Sequence, residues 1–310
     1  MHFLGIKWDN QQKNPWIKYK NSLRDVEESY LPIINGNNLT ITIGTRRYCI
    51  GSFTHPEYKK DSCKTSDNVM LDSSQCSSCQ SKDATYFLPI NSLRYHQVKI
   101  LKEQPHLNYI NIFGNNIIKI GVAAKVRKIT RLLEQGAVAT IFFAESDGFT
   151  SRLIESHISK ALNIKQAVSW GTKLRFIQEI PEKEKAYAEL RKVYEQVIVN
   201  ISSTYENVLI KNPEFLYNYD YYFLSVPKSI NSIKLINQFS DSDIISGLVI
   251  GVYGEIVLLK QKNDDIYALN TKSLQGFLIE KAEGVLSTKI THEPKPIELN
   301  RMQCENLTLF

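Results

Sequence analysis

Long apolar runs are missing from this 310-residue chain. The most apolar stretch, residues 247–259, is too short for a membrane helix and carries Glu255 and three glycines. The amino terminus shows no basic leader followed by an apolar stretch and a small-residue cleavage site, so the expectation is a soluble, cytoplasmic protein with no membrane partner. Repeats and low-complexity tracts are absent. So are a G-K-[ST] phosphate loop, a Ser-x-Gly nucleophile elbow and an H-E-x-x-H helix, which leaves hydrolase and dinucleotide-binding classes without motif support. Strong charge is missing too: a formal +6 and a pI near 8.9 permit a polyanionic partner without requiring one. What is present, 43% hydrophobic residues, suffices for a sizeable core, and the length points to two domains or one domain with attached modules.

The fold class expected is α+β, in four parts: a β and zinc-binding module over 1–100, a central unit over 106–180, a helical connector over 181–235 and a small β module over 236–310. In the first part, "LTITI" at Leu39–Ile43 reads as a strand and polar loops carry the cysteines. The central part reads strand (Asn108–Phe113), Gly-Asn-Asn turn, strand (Ile117–Ala123), helix (Lys125–Gln135), strand (Val138–Glu145) and helix (Thr150–Leu162), a ββαβα unit. Residues 181–200 start with Pro181 at a plausible first helical position and mix charges, which reads as a surface or bridging helix. The tail alternates again at 246–259 and 265–270, with strands available to pair with the first module.

Cys49, Cys63, Cys76 and Cys79 fall together in the first part, and Cys76-Ser77-Ser78-Cys79 has the C-x-x-C spacing that aims two thiolates at one tetrahedral ion. Four thiolates imply a structural zinc, worth on the order of 10 kcal/mol of folding free energy to a segment with little apolar core. The rival readings are two disulfides or four unrelated buried thiols. Cys304, alone near the end, reads as an ordinary thiol.

In the helix expected at Lys125–Gln135, Val126, Ile129, Leu132 and Leu133 form an apolar stripe. Lys125, Arg127, Lys128 and Arg131 lie off it, with Arg127 and Arg131 one turn apart, and Gly136 caps the end. In the following helix Leu153, Ile154, Ile158, Ala161 and Leu162 define the buried face, with Glu155 at its margin. Taken alone, such a helix beside a marginal carboxylate is more often a solvated charged face than a site.

These residues also carry a resemblance. "RRYCIG" at Arg46–Gly51, Cys63, "QCSSC" at Gln75–Cys79, "KIGVA" at Lys119–Ala123, "RLLEQGA" at Arg131–Ala137 and "SRLIESHISKAL" at Ser151–Leu162 together resemble one uncharacterised bacterial family of unknown function. That family joins a cysteine-rich, zinc-ribbon-like module to a GIY-YIG nuclease-like domain, and the similarity runs from Gly5–Trp8 to Ala268–Gly276. The resemblance implies that Tyr109 matches the tyrosine of the first motif and Ile120-Gly121 the end of the second. It further implies that Arg131 neutralises a transition-state phosphate and that Glu155 holds magnesium or manganese. Lys119 stands where the second motif usually has tyrosine, and Asn108 precedes Tyr109 in place of Gly-Ile, so Lys119 would act electrostatically.

The function expected is thus binding of nucleic acid, DNA or RNA, with Tyr109, Lys119, Arg131 and Glu155 as catalytic residues and Lys125, Arg127 and Lys128 as backbone contacts. The alternatives are nucleic-acid binding without cleavage and a protein-interaction scaffold. Three further features have bland readings beside functional ones. The aromatic run Tyr217–Phe223 reads as a half-buried strand or a base-stacking platform, His157 as a surface residue or a proton carrier, and Trp170 as a hydrophobic anchor.

Overall fold

A computed structural model describes residues 1–8, 15–25, 27–54, 59–65, 68–83, 88–114, 117–282 and 287–300. Cys304 and part of the Gly-Asn-Asn turn lie outside these residues. The fold is mixed α and β, dominated by two sheets.

The smaller sheet has four antiparallel strands in the order Phe215–Tyr217, Ala139–Asp147, Pro105–Ile112 and Ile118–Ala124. Its strands are apolar almost throughout because both faces are covered, and the period of two sorts their side chains. Ile110, Ile112, Ile120, Ile141 and Phe143 pack under the helices Gly148–Leu162 and Lys183–Tyr205. Leu107, Tyr109, Ala123 and Phe142 face the other way, onto Leu132 of the helix Lys128–Gln135. The expected ββαβα order is therefore present as an antiparallel unit, extended by one strand from downstream.

Three helical expectations shift. The basic segment opens with a 3-10 turn at Lys125–Arg127 and becomes α-helical only at Lys128, so Val126 is off the helical register and 65% exposed, while Leu132 and Leu133 are buried. In Gly148–Leu162 the buried residues are Gly148, Ser151, Ile154 and Ile158, whereas Leu153 and Ala161 are exposed. The helix Lys183–Tyr205 is not a surface bridge: Ala186, Leu190, Val193, Val197 and Ile201 recur at three- and four-residue spacing and pack on the small sheet. Mixed charges on its other face had masked that stripe.

The terminal segments build one twelve-stranded sheet. Its path runs Lys295–Glu298, Ser232–Ile236, Ile266–Asn270, Ile256–Lys260, Ile244–Tyr253, Asn38–Tyr48, Phe277–Lys281, His2–Trp8, Pro15–Lys20 and Ser29–Pro32. Strands from before residue 50 and after residue 230 thus interleave. The Tyr217–Phe223 run is a short strand, a 3-10 turn and another short strand, with Tyr222 buried. The two sheets are joined by Tyr253, whose hydroxyl donates to the Phe113 carbonyl at 3.0 Å, and by the Tyr222 hydroxyl, which donates to carbonyls at the end of the arginine-bearing helix.

Candidate functional site

Pairing register decides where Tyr109 goes. Tyr109 stands opposite Gly121 across Pro105–Ile112 and the edge strand Ile118–Ala124, and Asn111 opposite Lys119, which puts Tyr109, Lys119 and Gly121 on the same face. The tyrosine ring lies directly over the glycine. A Cβ at position 121 would stand 2.4 Å from both the Tyr109 hydroxyl and its ring carbon, so only glycine fits. Gln135, four residues after Arg131 on the next helix, donates its side-chain amide to the Tyr109 hydroxyl at 2.8 Å and accepts from Lys119 Nζ at 2.5 Å. Lys119 Nζ is itself 3.5 Å from that hydroxyl. Among the described residues the phenol oxygen meets N–H donors from Gln135 and Lys119, and the side chain borders an open space.

That space is a cavity of about 430 Å³, lined among others by Tyr109, Lys119, Arg131 and Glu155. The four residues that the sequence singles out around the arginine helix and its neighbours do share one cleft. Six cationic side chains (Lys60, Lys119, Arg127, Arg131, Arg152 and Lys272) face four carboxylates there (Asp83, Glu134, Glu155 and Glu255), an excess that suits an anionic ligand. Glu155 forms no hydrogen bond or ion pair among the described residues. Burial pushes its carboxyl up to about 7, against the pull of Lys119, Arg152 and Arg131. Arg131 behaves oppositely: burial lowers its pKa, but the Tyr109 hydroxyl, Glu134 and Glu255 more than offset this and hold it above the usual value.

The other basic residues are less free than expected. Lys125 pairs with Glu145 at 2.5 Å and Lys128 with Glu214 at 3.2 Å, neither lining the cleft. Arg127 does line it, held by Glu134 at 2.6 Å with its guanidinium over the Phe53 ring. His157 is exposed and its ring lies against Tyr205, away from the cleft. Trp170 packs edge-on to Tyr253 and against Gly136 and Gly254, as an anchor between the sheets.

Sequence reasoning missed Gln135, which holds the Tyr109 hydroxyl, and several residues that line the cleft, Glu255 among them. Gln135 was visible in principle, one helical turn beyond Arg131. Glu255 had no local signal: it comes from the turn between Ile244–Tyr253 and Ile256–Lys260, brought in by the large sheet. Burial, aided by Glu134, raises Glu255 to about 7 against Lys272, Arg131 and Lys173.

One wall of the cleft belongs to the cysteine module. Ligand atoms of Cys49, Cys63, Cys76 and Cys79 lie within 4.8 Å of one another, none in a disulfide, and could hold a metal ion such as zinc. The donor set fits that role. Backbone N–H groups of Cys76 and Gly51 donate to Cys49 Sγ at 3.2 and 3.4 Å, the bonds that a thiolate ligand accepts from its turn. Gly51, at φ 86°, leaves no room for a side chain, since a Cβ would meet the Asp61 carbonyl at 1.8 Å. From this knuckle Gln75 bonds the Gly51 carbonyl at 2.7 Å and Asp83 at 2.6 Å, and Asp83 accepts from the Phe53 amide at 3.0 Å. Phe53, Gln75 and Asp83 all face the cleft.

A family model described as "Protein of unknown function (DUF2797)" matches residues 36–279, well over half of the chain and inclusive of the cysteines and the cleft. No curated protein and no solved structure matches.

Proposed function

We propose, from the premise that the chain belongs to the DUF2797 family, whose description assigns no activity, that it binds nucleic acid and cleaves phosphodiester bonds in the Tyr109–Arg131–Glu155 cleft. The observation that carries this reading is a carboxylate, Glu155, with no hydrogen bond or ion pair among the described residues, sharing one cation-rich cavity with a phenol and a guanidinium. The order of the ββαβα unit, with glycine under tyrosine, supports a GIY-YIG-like arrangement. Glu155 is the residue that would hold a magnesium or manganese ion, which supplies charge neutralisation and water activation when bound. Arg131 presents its N–H groups to the charge that builds on the phosphorus oxygens. Tyr109, fixed by Gln135, offers a hydroxyl to orient the attacking water, and Lys119 adds positive charge beside it. Glu255, held near 7, has the proton affinity of a donor to a leaving oxygen. Zinc on the four cysteines would fix the opposite wall.

Purified protein incubated with single-stranded, duplex and branched DNA and with RNA, with magnesium or manganese, tests the reading. Cleavage is expected on at least one substrate and should fall by roughly a hundredfold or more in Glu155→Ala. Equal background from both proteins on every substrate would remove the enzymatic claim. Lys119, standing where the second motif usually has tyrosine, favours a second reading, binding without chemistry. In that case salt-sensitive binding survives Glu155→Ala and falls in Arg127→Ala/Arg131→Ala.

A further inference from the structure

Behind the cysteine wall lies a second cavity, of about 460 Å³, which the cleft chemistry does not use. Glu27, Glu28, Cys49 and Cys63 also line it; Leu4 and Leu23 give it an apolar side, and Lys18, Lys20, Lys60 and His2 a basic one. The four are not equally free. Lys18 is taken by Glu28 at 2.7 Å, and Glu28 also accepts from the Tyr30 hydroxyl at 2.8 Å. Lys20 is buried and donates to the Asp25 carbonyl at 2.6 Å and to Ser62 Oγ at 2.5 Å, which leaves one of its three N–H donors. Lys60 makes no hydrogen bond or ion pair among the described residues. His2 is 4% exposed, yet its Nε2 is buried with no partner. Burial lowers Lys60 to about 7, and an unpaired buried ring nitrogen beside a lysine with no paired counter-charge is costly unless something between them donates to the one and accepts from the other.

We propose that this cavity is a binding site for a phosphomonoester carried on a compact organic body. The anion would lie between Lys60 and Lys20, its remaining O–H donating to the unpartnered His2 ring nitrogen, and the body would rest on Leu4 and Leu23. Charge-assisted N–H bonds to phosphate oxygens from two ammonium groups supply the affinity, and the apolar side sets a preference over inorganic phosphate. The assignment does not depend on the reading of the neighbouring cleft. The two cavities share Ile50 and Lys60, and Lys60 stands opposite Phe53 in the hairpin formed by Ser52–Thr54 and Lys59–Asp61. The phosphoryl group has two sources, a free small molecule or the phosphorylated end of a strand whose body lies in the cleft.

Titration of the full, metal-replete chain with phenyl phosphate, followed by calorimetry and by the imidazole NMR signals, tests the site. His2 lines this cavity and not the cleft, so saturable binding with a shift of the His2 resonances, assigned with His2→Phe, is expected in the unaltered protein. Lys60→Met should weaken binding by about tenfold or more, while Arg131→Ala, which alters only the cleft, should leave it unchanged. No binding at millimolar phenyl phosphate, or binding that falls in Arg131→Ala with the His2 signals unmoved, overturns the assignment and leaves Lys60 as a counter-charge to the thiolates. A companion comparison of 5′-phosphorylated and 5′-hydroxyl oligonucleotides separates the sources. Tighter binding of the phosphorylated strand, lost in Lys60→Met, identifies a strand end; phenyl phosphate binding with no such difference identifies a free small molecule. Nucleic-acid binding that fails altogether while phenyl phosphate still moves His2 would discard the cleft reading and keep this one.

Discussion

At the scale of single residues, the contact between Tyr109 and Gly121 organises the cleft. The tyrosine is almost fully buried, yet its hydroxyl is held by Gln135 and Lys119 rather than left in the apolar layer, and the glycine across the ladder is what lets the ring lie flat enough to reach them. A methyl group at position 121 cannot be absorbed by a flexible neighbour, because the atoms it meets are the rigid ring and its hydroxyl. Gly121→Ala is therefore expected to destabilise the protein by about 1–3 kcal/mol, the usual range for overpacking. Most of that loss should vanish when Tyr109 is truncated first, since the three nearest atoms that the methyl would meet all belong to this side chain. Thermal or urea unfolding of Gly121→Ala, Tyr109→Ala and the double variant measures the coupling. Additive losses would show that the glycine is required by the backbone and not by the tyrosine.

At the scale of elements, legibility tracks how local the determining interaction is. The cysteine spacing, the Gly136 cap and the strand–strand–helix–strand–helix order were readable because each is set by neighbours in the chain. Asp147, whose carboxylate caps the glutamate-bearing helix by accepting from the Phe149 and Thr150 amides at 2.9 Å, is set just as locally but was not singled out in the sequence. The core face of Lys183–Tyr205 was misread because charged residues on its solvent side dominate the composition, and Glu255 was invisible because its place depends on a sheet assembled from distant strands. The cysteine module shows how a local element acts at a distance: Gln75 and Asp83 pass the position of the knuckle to Phe53, which backs Arg127. Zinc analysis should return about one equivalent per chain. Chelation should raise hydrogen exchange at the Phe53 amide, which donates to Asp83, well before exchange rises in the small sheet. Unchanged exchange at Phe53 in the metal-stripped protein would break the link between the metal site and the cleft wall.

At the scale of the whole molecule, the tail is structural to the head. Phe277–Lys281 is inserted between Asn38–Tyr48 and His2–Trp8, and Met1 and Ile279 exchange backbone hydrogen bonds, with the Met1 amine donating to the Ile279 carbonyl at 2.8 Å and the Ile279 amide to the Met1 carbonyl at 2.7 Å. A chain that stops after Phe239 would lose Ile244–Tyr253 and every later strand of the large sheet. About half of the buried side chains in that core come from beyond this point, among them Ile245, Val252, Leu258, Leu269 and Phe277. Each contributes about 1.5–3 kcal/mol by burial, so their combined loss far exceeds the roughly 5–15 kcal/mol by which a folded chain is usually stable. The small sheet would also lose the Tyr253 hydrogen bond to Phe113, and the cleft would lose Glu255 and Lys272. Residues 1–239 alone should therefore be insoluble or melt without a cooperative transition, even though they contain all four cysteines together with Tyr109, Arg131 and Glu155. Supplying residues 240–310 as a separate chain during expression should restore soluble material, because the missing contacts are pairings between strands rather than continuity of the backbone. Circular dichroism melts of the fragment, with and without its complement, decide the point: a cooperative transition in 1–239 by itself would mean that the central unit and cysteine module stand without the sheet that now encloses them.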